Sequence, residues 1–96
     1  MRPSEALAAH RDDVLAILNR YNASNPRLFG SVARGEDLDG SDIDILIDDE
    51  SPMSTFELAG LELELEAILK TPVDLRLPGE LSREVAMRMA GDLRPL

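Results

Sequence analysis

The sequence predicts an α/β (α+β) domain: a small mixed three-stranded sheet flanked by helices, in the order α-β-α-β-α-β-α. Three observations predict it. Residues 42–48, Asp-Ile-Asp-Ile-Leu-Ile-Asp, alternate acidic and apolar side chains with the period of a strand. Residues 4–22 and 54–70 repeat apolar residues at helical spacing. Two shorter segments, 27–30 and the alternating 73–77, follow turn residues as strands do.

Residues 4–22 read as the first helix. Pro3-Ser4 supplies an N-cap region, and Glu5 sits in the first turn, where the helix dipole favours an acid. Leu7, Val14, Ile17, Leu18 and Tyr21 mark its apolar face. Asn22 to Pro26 is turn chemistry, and Arg27-Leu28-Phe29-Gly30 reads as a short buried strand. Ser31 to Arg34 forms one helical turn stopped by Gly35, and residues 35–41 form a loop. In the strand at 42–48, Ile43, Ile45 and Ile47 share one face, and Asp42 and Asp44 share the other. In the helix at 54–70, Leu58, Leu61, Leu65, Ile68 and Leu69 line one side, while Glu57, Glu62, Glu64 and Glu66 are expected on a solvated face. Thr71-Pro72 ends it. Val73 to Leu77 forms the third strand, Pro78-Gly79 turns the chain, and residues 80–91 form the last helix, with Leu81, Val85 and Met89 four residues apart. Residues 92–96 carry no pattern.

Ninety-six residues fit one domain, read as a single unit over 1–96 with no second substrate-binding domain. Aromatics are 3% of the chain, so the core is built from Leu, Ile, Val, Met and Ala. The absence of cysteine excludes disulfides, thiolate metal sites and cysteine nucleophiles. No apolar run reaches the roughly 18 residues of a membrane span, and the N-terminus lacks a signal core, so the cytoplasm is the default compartment. A formal net charge of −9 argues against direct nucleic-acid binding and suits a cationic partner protein or bound metal ions. The oligomeric state is not readable from the sequence.

The chemistry concentrates in the middle of the chain. Eight carboxylates and no Lys or Arg lie between Glu36 and Glu50. Asp42 and Asp44 stand at i, i+2 on one strand face, and two such carboxylates repel unless a proton or a cation lies between them. Mg²⁺ prefers oxygen ligands, commonly one or two carboxylates plus substrate phosphates. Upstream, Gly30-Ser31 ends a strand and opens a helical turn, offering backbone N–H groups and a hydroxyl to a phosphate. Gly30 lets a triphosphate approach the backbone, and Arg34 stands one turn further on to contact phosphate oxygens. Asp74, on the third strand beside Arg76, is the candidate third carboxylate, placed to bind a second metal or take a proton. His10, the single histidine, reads as a surface or packing residue, and Met53, Met87 and Met89 as core or interface filler.

The stretch Leu28 to Gly35 followed by Ser41-Asp42-Ile43-Asp44-Ile45 resembles the Gly-Ser-x10-Asp-x-Asp signature of the nucleotidyltransferase superfamily that includes DNA polymerase beta. Leu69 to Leu75 resembles the third-carboxylate strand of its minimal nucleotidyltransferase branch. The resemblance spans roughly residues 5–90. It implies a Mg²⁺-dependent nucleotidyltransferase: Gly30 and Ser31 on the triphosphate of ATP, and Asp42, Asp44 and Asp74 holding two Mg²⁺ ions. It further implies an antitoxin of a type VII-like toxin–antitoxin pair, which transfers AMP to a tyrosine of a HEPN-type ribonuclease toxin and so neutralises it. Two alternatives stay open: a non-catalytic antitoxin that masks the toxin, and a nucleotidyltransferase acting on a small molecule. The small size favours a protein acceptor, because a partner can supply the missing wall of the site.

Overall fold

The computed structural model describes residues 1–96. Two short helices, α1 (Pro3–Ala9) and α2 (Arg11–Arg20), open the chain. Strand β1 (Ala23–Phe29) runs directly into the one-turn helix α3 (Gly30–Arg34), and β2 (Ile43–Asp49) follows. Helix α4 (Thr55–Leu69) leads to β3 (Val73–Arg76), then to a 3-10 turn (Pro78–Glu80), α5 (Arg83–Ala90) and β4 (Arg94–Pro95).

The sheet order is β3-β2-β1-β4. β2 is therefore central, antiparallel to β1 and parallel to β3. Its alternation does what the sequence predicts: Ile43, Ile45 and Ile47 are fully buried. They meet Leu61, Leu65 and Leu69 of α4 and Val14, Ile17 and Leu18 of α2 in one aliphatic core. At roughly 1.5–3 kcal/mol for each fully buried aliphatic side chain, this layer supplies much of the driving force for folding. Helix α4 starts from a capping box: Ser54 Oγ accepts from the Glu57 N–H at 3.1 Å, and Glu57 Oε1 accepts from the Ser54 N–H at 3.2 Å.

Four expectations are corrected. The first helix divides at His10 (φ −118°, ψ 21°) without a glycine or proline to mark it. The division lets Ala6 and Leu7 of α1 reach the same core as Val14, Ile17 and Leu18. Strand β1 reaches back to Ala23, because the Asn25-Pro26 turn chemistry is accommodated as an irregularity in the β1–β2 register, with Asn25 at φ 49°. The last helix starts at Arg83, three residues late, behind the 3-10 turn, with Ser82 Oγ capping the Val85 N–H at 3.2 Å. The sheet has four strands, not three. β4 is only two residues long and contains Pro95, which suits an edge and leaves no periodicity to read.

The acidic face of α4 is also not merely solvated. Glu62 Oε2 accepts the Leu75 N–H at 3.0 Å, and Glu66 Oε2 accepts the Val73 N–H at 2.9 Å. These are backbone donors of the edge strand β3. Glu64 is bound by Arg20 and by the Tyr21 hydroxyl. Loop 35–41 is held by Asp37, which is buried and accepts the Ser4 N–H at 2.9 Å.

Candidate active site

One row of residues crosses the sheet at the end where β1 becomes α3. Phe29 pairs with Asp44 across the antiparallel ladder, and Asp44 pairs with Asp74 across the parallel one. Two carboxylates thus come from adjacent strands at the same level. Gly30 lies directly beside them with φ +72°, and a Cβ there would collide with Asp44 Oδ2 and stand 3.2 Å from its Cγ. Glycine is favoured here, both for its left-handed backbone and because a side chain would have to displace the Asp44 carboxylate.

Asp42 precedes β2, exposed, and Asp44 is half-buried on the strand. Burial, then the charges of Asp74 and Asp42, push the Asp44 carboxyl up from 3.8 to about 6. Arg76 and Arg34 oppose the shift without cancelling it. Asp74 accepts from Arg76 Nε at 3.2 Å. No three of the chain's His, Asp and Glu side chains, Asp42, Asp44 and Asp74 included, stand close enough together to hold a metal ion by themselves. A half-buried carboxyl destabilised by two neighbouring carboxylates is nevertheless relieved by a cation. Mg²⁺ commonly takes one or two protein carboxylates and completes its shell with water and phosphate. The donor set therefore fits an open Mg²⁺ site rather than an all-protein cage.

A model of the nucleotidyltransferase domain family matches residues 12–93. The chain belongs to that family. The protein adenylyltransferase MntA of Thermococcus cleftensis is 36% identical over 80 residues, which cover 83% of this chain and 78% of that protein. A solved structure assigned as a minimal nucleotidyltransferase is 35% identical and superimposes with a TM-score of 0.84 over 97% of this chain and 95% of its own. A chain of the tri-AMPylated Shewanella oneidensis HEPN toxin in complex with MNT antitoxin shares the fold at TM-score 0.71 and 18% identity, over 92% and 69% of the two chains.

In this nucleotidyltransferase domain a cleft runs between the sheet and α5. At one end, 310 Å³ of space is bounded by Gly30, Arg34, Arg88 and Asp92. At the other, 430 Å³ is bounded by Asp74, Arg76, Glu80 and Ser82. Phe29, Val85 and Met89 line both, so the two spaces adjoin. Gly30 and Arg34 border one of these adjoining spaces and Asp74 the other, and Asp44 is packed against Gly30 and pairs with Asp74. Ser31, the first residue after Gly30 in α3, is half-buried. Arg34 is not free: Nη1 meets Asp92 at 2.9 Å and Nε meets Glu36 at 3.3 Å. His10 lies away from the cleft, 3.6 Å from Asp13. In the sequence Met89 reads as filler and Val85 as an apolar residue of the last helix, Phe29 lies in the Leu28–Gly35 stretch without a role of its own, and Arg88 is not singled out. The one available signal is the spacing of Val85, Arg88 and Met89, which puts them on one side of α5.

Proposed function

We propose that this domain transfers AMP from ATP to a tyrosine of a HEPN-type toxin and acts as the antitoxin of that pair. The observation that carries the reading is the contact of Gly30 with Asp44, with Asp74 next in register. A backbone turn open to phosphate and a carboxylate pair able to bind a cation stand side by side, as in-line phosphoryl chemistry requires. The names of relatives support the same reading: a protein adenylyltransferase at 36% identity and an AMPylated toxin complex of the same fold.

In this reading Gly30 and Ser31 hold the triphosphate, and Arg34 lies at its edge. Asp42, Asp44 and Asp74 hold Mg²⁺, which when bound lowers the acceptor's pKa and stabilises charge on the entering and leaving oxygens. The tyrosine oxygen forms a bond to the α-phosphorus. The bond from that phosphorus to the bridging oxygen breaks, and pyrophosphate leaves with its electron pair. Asp74, which borders the cleft, receives the hydroxyl proton. The cleft is open on one side, and the partner protein closes it.

Incubation with α-labelled ATP, Mg²⁺ and the helical toxin partner tests this. Label is expected on a partner tyrosine, and Asp42→Asn is expected to abolish it. Absence of label, or undiminished labelling by Asp42→Asn, sinks the reading. An Asp42→Asn/Asp44→Asn variant that still neutralises the toxin would instead point to a masking antitoxin.

A further inference from the structure

We propose that Arg88 of α5 binds the leaving β- and γ-phosphates of the nucleotide, clamping the triphosphate against Gly30 from the opposite wall of the cleft. This rests on the nucleotide-site reading above and adds to it a residue outside the signature.

Three arginines border the cleft, and two are already committed. Arg34 is tied to Asp92 and Glu36, and Arg76 to Asp74. Arg88 makes neither an ion pair nor a side-chain hydrogen bond, although the chain carries 19 carboxylates against 10 Lys and Arg. A cation in the last turn of a helix is favoured by the helix dipole. That accounts for its place along α5, but not for its standing on the side that lines the cleft.

Its position along the cleft selects the phosphates. Arg88 borders the same end as Gly30, whereas Asp74 borders the other. With the α-phosphorus at the Asp44–Asp74 pair, in-line geometry puts the entering oxygen and the leaving group on opposite sides. The acceptor then enters past Asp74 and Ser82, and pyrophosphate departs towards Gly30 and Arg88. A guanidinium presents paired donors that match phosphate oxygens, and it keeps its charge at every working pH.

Calorimetric titration of ATP, AMP and inorganic pyrophosphate, each with Mg²⁺, tests the assignment on wild type, Arg88→Gln and Arg83→Gln. Arg83 is the other cation of α5 without an ion pair, and it does not line the cleft. Loss of a charge-assisted phosphate contact weakens ATP and pyrophosphate by roughly 10- to 100-fold in Arg88→Gln, with AMP changed by less than about twofold. Arg83→Gln leaves all three as in wild type. Arg88 is exposed and free of partners, so the variant melts with wild type. If ATP and AMP weaken together, Arg88 touches the nucleoside and the proposal fails. It also fails if Arg83→Gln weakens ATP equally, since charge alone then explains the effect. Wild-type binding of ATP with no loss in Arg88→Gln overturns the clamp and leaves the nucleotide reading standing. A wild type that binds no ATP overturns both.

Discussion

At the residue scale the site turns on Gly30 and Asp44. Alanine at position 30 must adopt φ +72°, which costs about 1–2 kcal/mol for a side chain in the left-handed region. Its Cβ must also displace the Asp44 carboxylate. Gly30→Ala is therefore expected to lower the melting temperature and to remove transfer activity, read by a thermal melt and by the labelling assay. Asp44 makes a separate prediction. Its carboxyl is raised to about 6 from 3.8, so between those pH values the folded chain holds a proton that the unfolded chain has released. Asp44's contribution to stability falls as pH rises through that window. Asp44→Asn removes the penalty, and its advantage over wild type grows from pH 4 to 6 and then levels. Because the group is only half-buried, solvent screening holds the gain at pH 7 to about 1 kcal/mol. Urea melts of both proteins at matched pH check this, and an advantage that shrinks towards neutral pH contradicts it. Asp44 was legible as a strand carboxylate opposite the isoleucines, but Asp42, expected on the same strand face, falls just before β2 and is exposed. The contact of Gly30 with Asp44 was not legible, because it depends on the β1–β2 register, which the irregularity at Asn25-Pro26 sets. Arg34 was legible as a cation near the turn, but not its capture by Asp92, 58 residues away.

At the element scale the strand that carries Asp74 depends on α4. β3 is an edge strand of four residues, and an edge leaves backbone donors unpaired. Glu62 and Glu66, one turn apart, accept the N–H groups of Leu75 and Val73, the residues on either side of Asp74. Replacing either glutamate by alanine removes a hydrogen bond to a charged acceptor, worth about 1.5–3 kcal/mol. Amide exchange at Val73 and Leu75 is expected to accelerate in the Glu62→Ala/Glu66→Ala variant, while the Ile43 and Ile45 amides stay protected. Glutamine at both positions keeps an acceptor oxygen and is expected to restore much of the protection. Unchanged exchange in the alanine variant would show that β3 holds itself. β2 was legible from the isoleucines at 43, 45 and 47 although buried Leu46 breaks the alternation, and α4 from its length and its capping box although Leu61 to Glu66 alternates with the period of a strand. The division at His10 and the two-residue β4 left no pattern, because tertiary packing decides them rather than local preference. The same holds for the glutamates of α4. Helical spacing assigned them to a polar face, but only the docking of β3 turned that face into backbone acceptors.

At the scale of the whole molecule the charge is lopsided. The net charge is −9, yet around the cleft Arg34, Arg76 and Arg88 balance Asp74, Glu80 and Asp92. A substrate approaching from afar feels the net charge, whereas a bound one meets a balanced border in which Arg88 is the arginine without an ion pair. The Debye length is about 10 Å at 0.1 M salt, short beside a molecule of 33 × 29 × 19 Å. Added salt therefore screens the long-range field while sparing contacts already formed. In the proposed reading a basic protein acceptor is attracted and the anionic MgATP complex is repelled, so their association rates are expected to respond to salt with opposite sign. Between 20 and 200 mM salt, capture of the partner should slow by about tenfold, within the range of electrostatically steered association. MgATP association should hold steady or quicken over the same range. Stopped-flow measurements at fixed free Mg²⁺ read both rates on one preparation. If partner capture is indifferent to salt, the acidic surface does not steer it, and shape and apolar contact alone bring the two proteins together.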